Sequence, residues 1–176
     1  MSLNKAHEGY EYQDLLISSF ILEELLMGYN ATIKIDKKEF DKDVLDDLSI
    51  KNDKYAHKIQ IKYSGGMNKH PLSISDLTEN SKYNISITQL FNTWFSAKEE
   101  SNLELKLCLA WSLSNDEINN YLIPEDCTSN IYGTLKYKLN TSKIWFDRTL
   151  QNSKWRELNT IENCSRENLE KFCNSL

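Results

Sequence analysis

Asp46, Asp47, Gln60 and Lys62 have types and spacing that could do chemistry, within VLDDLSIKNDKYAHKIQIKYSGG from Val44 to Gly66. Side chains alternate across a strand, so Gln60 and Lys62 share one face while Ile59, Ile61 and Tyr63 take the other. On the preceding strand Asp47 shares a face with Ser49, and Asp46 with Leu48 and Ile50. If the two strands pair through the turn near Asp53, Asp47 stands beside Gln60 and Lys62; a slip of one residue puts Asp46 there instead. An acid, an amide oxygen and an ammonium gathered in this way suit Mg²⁺ or Mn²⁺ with several of its waters. Such an ion polarises a phosphoryl oxygen and lowers the pKa of a bound water. The lysine orients that water or stabilises the charge that develops in the transition state. Taken singly, an Asp-Asp before a strand is a turn with capping chemistry, and a strand lysine guards an edge against aggregation. Their order and spacing together favour the chemical reading.

The elements that must position these residues are legible around them. In EGYEYQDLLISSFILEELLMGYN the residues Tyr12, Leu15, Leu16, Ser19, Leu22 and Leu26 fall at helical spacing, and Gly28 with Asn30 supplies a stop. ATIKID, VLDDLSI and KIQIKYS then read as a three-stranded meander, with KNDKYAH as the turn between the last two. SISDLTEN and ISITQLFNTWFSAKEE read as helices, the second burying Ile87, Leu90, Phe91, Trp94 and Phe95 as core. LELKLCLAWSL from Leu103 is a fourth strand, followed at Ser114 and Glu117 by the capping-box pattern of another helix. SKIWFD is expected as a fifth short strand, and Ser165 as the cap of a terminal helix RENLEKFCNS. No repeat or linker interrupts the chain, so one domain over residues 1–176 is expected.

Composition narrows the function classes. A hydrophobic fraction of 40% and a charged fraction of 27% are those of a chain that folds around one core. No apolar run approaches the roughly 20 residues that cross a bilayer, and Lys5, His7 and Glu8 precede the first hydrophobic stretch, so a cytoplasmic protein without a membrane partner is expected. Cys108, Cys127, Cys164 and Cys173 lack metal-site spacing and read as free structural thiols. A net charge of -5 excludes a generic basic nucleic-acid coat. Lys34 to Lys69 nevertheless carries nine Lys against seven Asp and Glu, so an anionic ligand is expected to meet this half, with Lys34, Lys58, Lys62 and Lys69 on phosphates. His57 and His70 read as solvent-exposed, and Gly65 to Lys69 as a loop that follows a nucleic-acid backbone or merely connects.

GYEYQ at Gly9 to Gln13, DDLSI at Asp46 to Ile50 and QIKYS at Gln60 to Ser64 resemble, in that order, the PD-(D/E)XK nuclease superfamily in its Q-x-K variant. Within it the series is most similar to the double-stranded-DNA nuclease domain that heads bacterial antiphage effectors of CBASS type, and more distantly to Mrr-like restriction endonucleases. The motifs cover residues 7 to 66. The resemblance implies an α/β, restriction-endonuclease-like core: a central mixed sheet flanked by helices, with a divalent metal at the strand ends. It implies a Mg²⁺-dependent endonuclease acting on double-stranded DNA, and activation by homo-oligomerisation or a fused sensor domain. A catalytically weak or inactive module that binds nucleic acid or a partner is the alternative. The family's metal-binding acid falls on Asp47, with Asp46 as substitute, and its second motif on Gln60 and Lys62. Gln60 replaces the commoner anionic ligand and leaves less negative charge for the metal. Gln13 falls where Mrr-like members carry a helix-one acid, with Glu11 as second choice; two residues are about 200° around a helix, so only one of them faces the site.

Overall fold

The structure, a computed structural model, describes residues 3–41, 43–63, 71–79, 85–100, 102–113, 117–125 and 135–176. It is an α/β fold whose main sheet is mixed and four-stranded, flanked by helices. The chain divides into two compact units, Met1–Pro71 with Asn92–Ser112, and Leu72–Phe91 with Leu113–Leu176.

The first unit holds the main sheet. Helix α1 (Leu3–Met27) stops where Gly28 takes a left-handed φ of 70° and donates its N–H to the Leu25 carbonyl. Strands β1 (Thr32–Ile35), β2 (Leu48–Lys51) and β3 (Ala56–Lys62) form the antiparallel meander, and β4 (Leu103–Leu109) lies parallel to β3. A parallel pair needs a long crossover, and the chain between β3 and β4 contains helices α2 (Ile74–Thr78) and α3 (Ile87–Ala97). The β2–β3 turn is closed by Asn52, whose side-chain oxygen accepts from the backbone N–H groups of Lys54 and Tyr55 at 2.8 and 3.0 Å. Asp46 and Asp47 sit just before β2 and not within it.

Ile17 of α1 is buried with Leu48, Ile50, Ile59 and Ile61, and Tyr12, Leu16, Phe20 and Ile21 pack beside them. Each fully buried aliphatic side chain contributes about 1.5–3 kcal/mol, so this cluster fixes the helix on one face of the sheet. The stripe expected from spacing is corrected here: Leu15, Leu22 and Leu26 are exposed, and the packed side runs through Tyr12, Leu16, Ile17, Phe20, Ile21 and Glu24. Apolar residues occur on both sides of α1, so periodicity alone did not choose between them. A polar anchor adds to the packing, because the buried Glu24 carboxylate accepts from the Tyr55 hydroxyl and from the Asn52 amide at 3.4 Å.

The second unit holds α2, a two-stranded antiparallel ribbon of β5 (Leu122–Glu125) and β6 (Lys136–Leu139), and helices α4 (Thr141–Asp147) and α5 (Arg166–Ser175). Its interior includes Phe91, Trp155, Leu158 and Phe172. The ribbon was not expected, and SKIWFD is helical rather than a strand. Its aromatic, β-favouring composition is overridden by local chemistry: Asn140 accepts the Lys143 N–H at 3.1 Å as an N-cap, and Lys143 pairs with Asp147 one turn later. The terminal helix begins as expected, with the Ser165 hydroxyl accepting from the Asn168 N–H. After Ser114, which lies outside the described residues, the expected helix is a short 3-10 turn, Glu117–Asn120. Ile87, Leu90, Phe91 and Trp94 of α3 are buried and Phe95 is half-buried. Cys108, Cys164 and Cys173 are free thiols, and Cys127 lies outside the described residues. Among the described residues no helix is long and apolar enough to cross a membrane.

Candidate functional site

Leu48 pairs with Ile59 in the antiparallel β2–β3 ladder, so the residue before β2 continues the register opposite Gln60. Asp47 occupies that position. Its Oδ2 accepts from the Gln60 side-chain amide at 2.5 Å and from the Ile61 N–H at 2.6 Å. Only the amide nitrogen can donate to a carboxylate, which fixes the Gln60 orientation. Asp47 Oδ1 has no hydrogen-bond donor among the described residues. Gln60 is buried beneath this contact and Lys62 is half-buried beyond it, on the same face of β3.

The electrostatics are unbalanced in one direction. Burial pushes the Asp47 carboxyl above the ordinary aspartate range. The Ile61 N–H and the nearby Lys62 charge pull it down, and Asp46 and Asp36 push it up again. Lys62 itself makes no side-chain hydrogen bond or ion pair among the described residues.

Asp36 is a member of this group that sequence reasoning missed. It follows β1 in a left-handed conformation, φ 49°, which aspartate tolerates better than most residues. Its N–H donates to the Asp47 carbonyl at 3.1 Å, while the Lys37 N–H donates to the Asp46 carbonyl at 3.0 Å. Its carboxylate accepts from the Gln13 side-chain amide at 3.0 Å. The available signal was register: Ile35 faces Leu48, so residue 36 must stand by residue 47. Gln13 thus reaches the site end of the sheet from α1. Glu11 does not; it points to solvent and meets His7 at 3.2 Å, which corrects the second choice.

Lys58 also departs from expectation. Two residues before Gln60 on the same face, it is buried, with its ammonium 2.6 Å from Asp43 and 2.8 Å from Glu39. It is therefore not a surface contact for phosphate. Asp43 is fully buried and accepts in addition from the Glu39 and Leu45 N–H groups, both at 3.2 Å. Lys34 closes the network on Glu39 at 2.6 Å. Burial alone would raise the Glu39 carboxyl, but the two ammonium groups hold it down at about 2.

His57 is not solvent-exposed. It stacks on Tyr55 at 4.3 Å, and burial, helped by Lys106, lowers its pKa to about 4. His70, Lys69 and the Gly65–Gly66 loop lie outside the described residues.

Whether a divalent cation suits this group can be judged from its donors. Among the described residues no three His, Cys, Asp or Glu side chains are grouped to hold a metal. Mg²⁺ does not require three, since it keeps most of its waters and is bound through one or two carboxylates. A free oxygen on Asp47, with Asp36 and Asp46 near enough to raise its pKa, fits that mode. Comparison of the chain with protein-family models, curated proteins and solved structures gives no match.

Proposed function

We propose that the first unit is a restriction-endonuclease-like domain that hydrolyses phosphodiesters of double-stranded DNA with a divalent cation. One observation carries this reading. Asp47 is half-buried, has a free oxygen and a raised pKa, and is joined to Gln60 in a strand pair that also presents Lys62, unpaired among the described residues. A cation such as Mg²⁺ or Mn²⁺, when bound, would supply charge neutralisation and an acidified water. Asp47 would hold it through Oδ1. Gln60 fixes the Asp47 rotamer through Oδ2, and Gln13 fixes Asp36 in the same way. Lys62, close enough to act on Asp47 electrostatically, would orient the attacking water or meet charge developing on the phosphoryl oxygens. The choice of DNA as substrate, and of an antiphage effector as context, rests on the sequence resemblance.

A second reading has its own support. Both site glutamines spend their amide nitrogens on carboxylates, and no third ligand converges among the described residues. That suits a nuclease-like module which holds nucleic acid or a partner without cutting. Incubating supercoiled plasmid with the chain in Mg²⁺ or Mn²⁺ separates the two. On the hydrolytic reading, nicked and linear products are expected that vanish with EDTA and with Asp47→Asn. Plasmid retained intact at high protein, but shifted on a gel, would favour the binding module.

A further inference from the structure

The second unit contains a cavity of about 230 Å³ bounded by the β5–β6 ribbon, the start of α4 and one side of α5. Arg166, Glu170 and Asn174 reach it from α5 at i, i+4 and i+8, which lines them up along one side of the helix. Lys138 of β6 and Ser142 of α4 add to its polar wall. Pockets for drug-sized ligands run to roughly 300–1,000 Å³ and are mostly apolar. This one is smaller and mostly polar, which suits a small polar occupant.

The charges of the cavity are incompletely paired. The side chains of Ser142, Arg166, Glu170 and Asn174 make no hydrogen bond or ion pair among the described residues. Arg166 and Glu170 have the i,i+4 spacing of a helical ion pair and do not form one, whereas Glu167 and Lys171, one position on, do so at 2.7 Å. Arg166 also stands in the first turn of α5, at the positive end of the helix dipole, where a cation is disfavoured until an anion meets it. Lys138 shares Glu125 with Lys136, at 3.4 and 3.1 Å, so two ammonium groups lean on one carboxylate. Arg166 and Lys138 thus outweigh Glu170 around the cavity.

The donors narrow the choice of occupant. A guanidinium and an ammonium that meet at one cavity match a phosphate monoester, whose charge near -2 at neutral pH engages both. Glu170 repels a bare phosphate but accepts from a hydroxyl carried on the same molecule. One turn of α5 sets Arg166 and Glu170 about 6 Å apart along the helix axis. A sugar phosphate spans such a separation, and an α-amino acid, with both charges on one carbon, does not. We propose that this cavity binds a small hydroxylated organic phosphate, with Arg166 and Lys138 on the phosphate and Glu170 accepting from a hydroxyl. No residue of the Asp47 group lines it, so this binding is independent of the hydrolytic reading.

The probes are ribose 5-phosphate, inorganic phosphate and ribose, titrated into the whole chain by calorimetry at fixed ionic strength in a phosphate-free buffer. Ribose 5-phosphate is expected to bind, inorganic phosphate to bind more weakly, and ribose to give no heat of binding. Arg166→Gln, which keeps a good helix former, is expected to weaken ribose 5-phosphate at least about tenfold with an unchanged thermal melt. Glu170→Gln is expected to shrink the advantage of ribose 5-phosphate over inorganic phosphate. Lys171→Gln, which removes a charge from α5 outside the cavity, is expected to leave both affinities near wild type. Three results would overturn the proposal: no binding of ribose 5-phosphate, binding unaffected by Arg166→Gln, or equal losses from Arg166→Gln and Lys171→Gln. The last would show that net charge alone attracts the anion.

Discussion

Lys58 and Lys62 lie on the same face of one strand, with Gln60 between them, and they have opposite surroundings. Lys58 is locked between Asp43 and Glu39, and Asp43 is further satisfied by two backbone N–H groups. Lys62 has no partner among the described residues, and the carboxylate it influences is pushed up rather than down. A fully paired cluster holds the chain before β2 against β3. The cluster further along the same strand is less completely paired, with one Asp47 oxygen and the Lys62 ammonium without a partner among the described residues. A strand lysine near two acids is therefore not by itself a sign of chemistry; what matters is whether the acids are already satisfied.

The largest effect on stability is expected at the satisfied cluster. Lys58→Met leaves Asp43 buried without its counter-charge, and breaking a buried pair in this way costs about 3–5 kcal/mol. Urea unfolding should report that loss. A wild-type midpoint would mean that the network is not structural.

Asp47→Asn should behave differently. The folded state holds the ionised carboxylate under burial and beside two further acids, so removing the charge should leave the urea midpoint unchanged or slightly higher. On the hydrolytic reading the loss is expected in cleavage instead, as stability and activity are often traded at functional sites. A clear loss of stability in this variant would place Asp47 with the structural network.

A smaller effect, of opposite sign at the two clusters, should appear on acidification. Glu39 has a depressed pKa, so its stabilising contribution is present above the ordinary 4.5 and is lost as the pH falls towards about 2. The advantage of wild type over Glu39→Gln should shrink through that window. Asp47 has a raised pKa, so its ionised form costs stability above that pKa, and the cost disappears as the pH falls to its ordinary 3.8. Any advantage of Asp47→Asn over wild type should therefore be present at neutral pH and gone below that value. Urea midpoints across a pH series test both signs.

Much of the site end was legible because alternation and register are local rules. Placing Asp47 opposite Gln60 needed only the meander and its turn. The separation of Lys58 from Lys62 was not legible, since Glu39 and Asp43 arrive from the irregular segment before β2 and no periodicity describes where it packs. Asp36 was hidden for a related reason, as its role depends on the β1–β2 register and a left-handed backbone at the strand end. The packed side of α1 was misread because leucines occupy both sides. SKIWFD was misread because an asparagine cap and one i,i+4 ion pair outweighed β propensity.

The most direct measurement sets Mg²⁺-dependent plasmid cleavage by Lys62→Ala beside its thermal melt. Lys62 has no partner among the described residues, so wild-type melting is expected, with cleavage reduced to the EDTA background. Cleavage at the wild-type rate by the folded variant would contradict the hydrolytic reading, and would make Lys62 an ordinary solvated lysine at the end of a strand.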